Sequence, residues 1–250
     1  MEKRRKSATH ERNYQFLLCA QVFPRIVLIE DLQSDSVNSN RFKDEVKLFS
    51  TDSIEKLSKV LRPVSDEQDA NAAVALLLKP KSCGFDILFV KRVENPADPW
   101  SGQIAFPGGK RESKDINLKQ TIVRETMEET NINLLFQCRF LGVMTTLRSK
   151  SRPEIKILPF ILLLEHEPQI KLNRKELESF VWFSLGENVP SKSSIKSGLG
   201  EFPAYLLEST VVWGLTCRIL NNFIQTLKIS SCQFGKDRRK KNCGRQLDQY

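Results

Sequence analysis

Apolar positions change their period several times along the chain, and each change marks an element. Ser53 to Leu61 places Ile54, Leu57, Val60 and Leu61 at helical spacing behind an Asp52/Ser53 cap, and Pro63 stops the pattern, which predicts an amphipathic helix. Ala72 to Leu78 and Phe85 to Val90 are short apolar runs joined by the turn-rich Lys79-Pro80-Lys81-Ser82-Cys83-Gly84, so they predict a hairpin-like pair of strands. Gln103 to Phe106 is a brief strand leading straight into Gly108-Gly109, and further strands are expected at Phe140 to Thr146, Ile155 to Leu164 and Phe180 to Phe183. Ile157-Leu158-Pro159-Phe160-Ile161-Leu162-Leu163-Leu164 is apolar at successive positions, so both its faces must be buried, and Pro159 predicts a bulge or an edge there. Leu206 to Leu227, with Val211, Val212, Leu215, Ile219, Leu220, Phe223 and Leu227 on one stripe, predicts a closing helix. Strands flanking one helix, with another at the end, give an α/β chain whose mixed β-sheet is covered on both faces.

The helix between these strands carries Arg124-Glu125-Thr126-Met127-Glu128-Glu129. Glu125, Glu128 and Glu129 stand at i, i+3 and i+4, so their carboxylates share one face and are expected to project toward one point. Like charges so placed repel by a few tenths of a kcal/mol, roughly 0.2–0.5 per exposed pair, and a divalent cation among them offsets this. Mg2+ and Mn2+ favour oxygen donors, which makes the three glutamates candidate metal ligands. Alone, Arg-Glu-x-x-Glu-Glu is ordinary on a solvated helix face. What changes the reading is the preceding Gly108-Gly109, where the backbone can come close and its amides, near a helix N-terminus, suit an anion.

With 250 residues, 40% of them hydrophobic, the chain can fill the core of one good-sized domain. Its net charge of +9 is concentrated at the ends: residues 1–12 hold five Lys/Arg against two Glu, and residues 229–250 hold six against two Asp. The basic tails raise nucleic-acid binding as an alternative, but they lack interleaved aromatics and a folded platform. Six scattered cysteines without CxxC or a histidine at ligand spacing point to free thiols in a reducing compartment, so a cytoplasmic location is expected. No stretch reaches the roughly 20 apolar residues that span a bilayer, and the basic start is interrupted by Glu2 and Glu11, so neither membrane nor targeting segment is expected. Residues 1–45 read as an extension ending in a Ser/Asn/Asp-rich linker, 46–228 as the domain, and 229–250 as a basic, disordered tail.

The segment Gly109-x5-Asp115-x8-Arg124-Glu125-x2-Glu128-Glu129-x-Asn131-Ile132 resembles the Nudix box, whose pattern is Gly-x5-Glu-x7-Arg-Glu-apolar-x-Glu-Glu-x-Gly-apolar. It differs in Asp115, in one extra residue before Arg124, in Thr126 and in Asn131, while the Arg-Glu-x-x-Glu-Glu core is intact. Asn131 suits the left-handed helix end, and Asp115 is placed to cap the helix start. Gly102-Gln103-Ile104-Ala105-Phe106-Pro107-Gly108-Gly109 and the later Trp213-Gly214-Leu215-Thr216-Cys217-Arg218-Ile219-Leu220 are similar to the coenzyme A diphosphatase-like branch, although Asp98 stands where that branch has Arg.

The resemblance implies an α/β/α sandwich and a pyrophosphohydrolase acting on a small nucleoside diphosphate derivative with Mg2+ or Mn2+. It implies that Glu125 and Glu129 ligate metal, that Glu128 ligates a further ion or takes the water's proton, and that Arg124 holds a carboxylate in place. Glu176 and Glu178 lie where the family often keeps a functional acid. From the sequence itself, Arg92, Gly108 and Gly109 are candidate phosphate contacts, and Trp100 is a candidate for the substrate rim or the core.

Overall fold

The computed structural model describes residues 27–28, 51–81, 84–96, 98, 100–150, 152–185, 192–197, 200–207 and 210–242. The expected linker at 30–45 and Cys19, Cys83 and Cys243 lie outside these residues. Chain order is strand β1 (Val27–Leu28), helix α1 (Thr51–Val60), β2 (Ala72–Pro80), β3 (Phe85–Arg92), β4 (Ile104–Ala105) and β5 (Gly108–Lys110). Helices α2 (Leu118–Thr130) and α3 (Leu134–Gln137) follow, then β6 (Cys138–Val143), β7 (Leu147–Arg148), β8 (Lys156–Leu164), β9 (Leu177–Leu185), β10 (Lys192–Ser197), β11 (Gly200–Leu207), β12 (Thr210–Trp213) and α4 (Gly214–Asn242).

The large sheet is mixed, as expected. Its centre is the parallel pair β2 and β8, with Ala72 opposite Ile157 and Leu78 opposite Leu163. Successive residues of these two strands feed opposite cores. Leu76, Leu78, Ile161 and Leu163 pack on one face with Ile54 and Leu57 of α1 and with Leu220, Phe223 and Leu227 of α4. Ala73, Ala75, Leu77, Phe160 and Leu162 pack on the other with Leu118 and Ile122 of α2. The unbroken apolar run of β8 therefore has the physical reason its sequence implied, burial on both faces.

Pro159 differs from expectation: it sits in a central strand. Its carbonyl accepts from Met144 N at 2.9 Å, so its missing N–H faces the gap where the neighbouring chain passes from β6 to β7. The register break lies in β6, between Phe140 and Gly142.

Strands β2 and β3 pair only at Leu78–Pro80 with Phe85–Ile87, then diverge. The segment 104–110 fills the wedge. There β4 pairs with Val90 and Lys91, β5 pairs with Ala72, Ala73 and Val74, and Ala75 N donates to Pro107 O at 2.8 Å. Phe106 plugs the wedge from inside, buried with its ring 4.6 Å from that of Phe89. This insertion places the glycine turn against α2.

A second, antiparallel sheet runs β1-β10-β11-β12. It overturns part of the sequence reading, because Leu206 and Leu207 end β11 and Thr210–Trp213 forms β12 before α4 starts at Gly214. Val211 and Val212 mimic a helical stripe, but Thr210-Val-Val is β-branched, and Gly214 supplies the break with φ +62°. The backbone of α4 then continues past the expected boundary at 228 to Asn242, since extending a helix needs no new nucleus and Lys and Arg favour it. Cys138 and Cys217 are buried thiols, and among the described residues no helix is long and apolar enough to cross a membrane.

Candidate active site

Helix α2 is anchored at both ends by asparagines. Asn117 is the N-cap, its side chain accepting from Gln120 N, and Asn131 closes the helix at φ +62°, its N–H donating to Met127 O. The second was expected. The first replaces Asp115, which lies two residues too early to cap and instead accepts from Glu112 N at 2.9 Å and Thr121 Oγ1 at 3.1 Å.

Asp115 has a different partner of consequence. Arg124 donates to it through Nη2 at 2.8 Å and Nε at 3.1 Å, and the Asp115 side chain is only 4% exposed. The Arg124 guanidinium holds this carboxyl well below the usual carboxylate range, against the opposing effect of burial. Arg124 is raised in turn, chiefly by Asp115. Its remaining nitrogen, Nη1, reaches Glu125 at 3.0 Å, Glu128 at 3.2 Å and Glu112 at 3.3 Å. One guanidinium thus ties the loop 110–115 to the acidic face of α2.

The three glutamates occupy different environments. Glu129 is 3% exposed beneath the glycine turn, where Gly108 N donates to its Oε2 at 2.8 Å. Burial pushes its pKa up to about 8; Gly108 N–H and Arg92 oppose this, while Glu125 and Glu176 add to it. Glu125 is partly buried and also raised, first by burial, with Glu128 and Glu176 adding to the rise and Arg124 opposing it. Glu128 points outward, its side chain 53% exposed.

The carboxylates do not converge on a single point as the i, i+3, i+4 spacing alone implies. Among the described residues no three His, Cys, Asp or Glu side chains are grouped as ready-made ligands, and the cation between Glu125 and Glu128 is Arg124. The donor set nevertheless fits a hard divalent ion: all oxygen and partly buried, with Glu129 contacted by a main-chain N–H rather than by a cation.

Close approach to backbone requires the glycine at 108, whereas Gly109 faces the end of a flexible side chain. A Cβ on Gly108, which has φ +142°, would lie 2.2 Å from Ala73 O, and one on Gly109 would lie 2.5 Å from the Glu125 carboxylate. The Gly108 amide, expected to face an anion, serves Glu129 instead. Arg92 ends β3 with its guanidinium on Asp98, Nη2 at 2.7 Å and Nε at 2.9 Å, and its charge acts on Glu129. Sequence reasoning assigned no role to Asp98 beyond its departure from a family pattern, and no local signal marks the pair. Glu176 sits just before β9, its Oε1 accepting from Asn173 at 2.9 Å, and Asn173 N donates to Glu129 O at 2.9 Å. Glu178 pairs instead with Lys91 at 2.8 Å.

The NUDIX domain model matches residues 69–202. The uncharacterised Nudix hydrolase NudL of Yersinia enterocolitica is 28% identical over 175 residues, covering 67% of this chain and 88% of that protein. An uncharacterised Schizosaccharomyces pombe protein is 31% identical over 106 residues, 40% of this chain, and the matched region spans about a third (32%) of that relative's length. Among solved structures, a MutT/nudix family protein from Enterococcus faecalis aligns over 75% of this chain and 73% of its own at 14% identity and TM-score 0.41. An Ap4A hydrolase from C. elegans aligns over 44% and 77% at 19% identity and TM-score 0.38.

Proposed function

The chain belongs to the Nudix family and is a pyrophosphohydrolase, and from that premise we propose that it cleaves the pyrophosphate linkage of a small nucleoside diphosphate derivative with Mg2+ or Mn2+ held by Glu125, Glu128 and Glu129. The observation that carries the metal assignment is Glu129, a carboxylate buried beside a second carboxylate and under the glycine turn. An unpaired buried charge is costly, and a divalent ion supplies what the site lacks. When bound, the ion neutralises phosphate oxygens and lowers the pKa of water.

The chain's own residues do the rest. Arg124 fixes the carboxylates of Glu125 and Glu128 from one side, and Asp115 fixes Arg124. Glu128, whose side chain is 53% exposed, either ligates a further ion or takes the proton of the attacking water. Gly109 keeps the space above Glu125 open to the diphosphate, and Arg92 meets its oxygens. The catalytic domain spans 46–228. Gly102-x3-Phe106-Pro107-Gly108-Gly109 supports the coenzyme A diphosphatase-like branch, so coenzyme A-like compounds, dinucleotides and nucleotide sugars form the substrate class.

Turnover of coenzyme A, NADH, ADP-ribose and nucleoside triphosphates, each with Mg2+, Mn2+ or EDTA, tests this. Metal-dependent cleavage of a diphosphate-linked member is expected. Cleavage unaffected by EDTA would remove the metal from the account, and inactivity on every member would remove the substrate class.

A further inference from the structure

Arg92, whose charge acts on Glu129, belongs to a second group of side chains, of which Asp98, Trp100 and Arg152 have no part in the hydrolysis described above. Asp98 accepts from Arg92 through one oxygen and from the Trp100 main-chain N–H, at 3.0 Å, through the other. Burial pushes Asp98 up, but the Trp100 N–H and Arg92 outweigh it and hold the carboxyl below its ordinary value, with Arg152 assisting. Asp98 is therefore a negative charge between two arginines, and the group retains one net positive charge. The Arg152 guanidinium, from the loop after β7, lies 5.0 Å from the Trp100 ring centroid.

The indole of Trp100 belongs to neither hydrophobic core, and both it and Arg152 are half-buried. The loop is held by the Trp100 main chain, through Asp98 and through Gln103 N donating to Trp100 O at 3.2 Å. A tryptophan outside both described cores, faced by a guanidinium and linked through Asp98 to an arginine whose charge acts on Glu129, combines a flat aromatic surface with positive charge. A nucleotide offers the complementary pair, a planar base and adjoining phosphates.

We propose that Trp100 and Arg152 form the binding site for the substrate's nucleobase, stacking it while Asp98 holds Arg92 toward the phosphates. This deepens the hydrolase reading and rests on it for the position of the diphosphate. Stacking on an aromatic side chain is worth about 5- to 150-fold in affinity per base.

The test compares AMP with ribose 5-phosphate, which bears the same phosphate but no base, by calorimetry on the full chain in EDTA. Wild type should bind AMP more tightly than ribose 5-phosphate. Trp100→Ala should lower AMP affinity at least about 5-fold and leave ribose 5-phosphate unchanged, with Trp100→Phe recovering most of the loss. The main-chain bond to Asp98 survives each substitution, and circular dichroism verifies the fold. Equal AMP affinity in wild type and Trp100→Ala, or no preference for AMP over ribose 5-phosphate, overturns the assignment. Because these measurements need neither metal nor turnover, they stand apart from failure of the hydrolase reading, which shows as inactivity of wild type on the substrate panel.

Discussion

Replacing Glu129 by Gln should stabilise the metal-free protein while disabling it. The carboxylate is buried, and its pKa lies at about 8 against 4.5 for a free glutamate. Below pH 4.5 the group is protonated in folded and unfolded chains alike and makes no difference. As pH rises, the unfolded chain ionises first, so stability is lost progressively until the folded-state pKa is passed. The loss approaches about 5 kcal/mol above pH 8 and is about 3 kcal/mol at pH 7. Gln has nearly the same shape and still accepts from Gly108 N–H, but it does not ionise. Urea denaturation in EDTA should therefore give matching stabilities near pH 4 and a variant more stable by a few kcal/mol, about 3, at pH 7. Mn2+ at 100 times its dissociation constant should return about 2.7 kcal/mol to wild type and much less to the variant. A variant less stable than wild type at pH 7, or a difference independent of pH, would refute the reasoning.

Other consequences follow from the same contacts. Arg124→Ala leaves Asp115 buried and unpaired and should cost about 3–5 kcal/mol near neutral pH by denaturant titration. Since Asp115 is held low, that stabilisation should be present above pH 3.8 and fade as pH falls below it. Gly109→Ala, whose methyl would strike the Glu125 carboxylate, should lower kcat at least about 10-fold while retaining a cooperative melt. Gly108→Ala, blocked by the Ala73 carbonyl and strained at φ +142°, should destabilise the fold by more than about 2 kcal/mol in denaturant titration and lower the melting temperature with it. Asn131→Ala should cost about 1 kcal/mol because its left-handed backbone disfavours a Cβ, whereas Asn131→Gly should be near neutral in the same assay.

Local chemistry made part of this legible from sequence. The β2–β3 pairing, the double burial of β8 and the Asn131 helix end each depend on residues within a few positions of one another. The hairpin of β10 and β11 was missed because Lys192-Ser-Ser-Ile-Lys-Ser carries only one buried apolar residue, Ile195, and β12 was absorbed into a helical stripe. In the site, Arg124 and the glutamates were recognisable by their spacing. What was not recognisable is which carboxylate lies deepest: that depends on β5 wedging Gly108 over Glu129, 21 residues later in the chain. Asp98 likewise gains its role only from the fold, which brings Arg92 and the Trp100 main chain onto its two oxygens.

The central claim is that hydrolysis runs through metal held at the carboxylates of α2. Turnover of the best panel substrate and Mn2+ affinity should be measured side by side for wild type and Glu129→Gln. The account predicts EDTA-sensitive turnover in wild type, a loss of roughly 100-fold or more in kcat in the variant and weaker Mn2+ binding. Wild-type turnover with unchanged Mn2+ affinity in Glu129→Gln would contradict it.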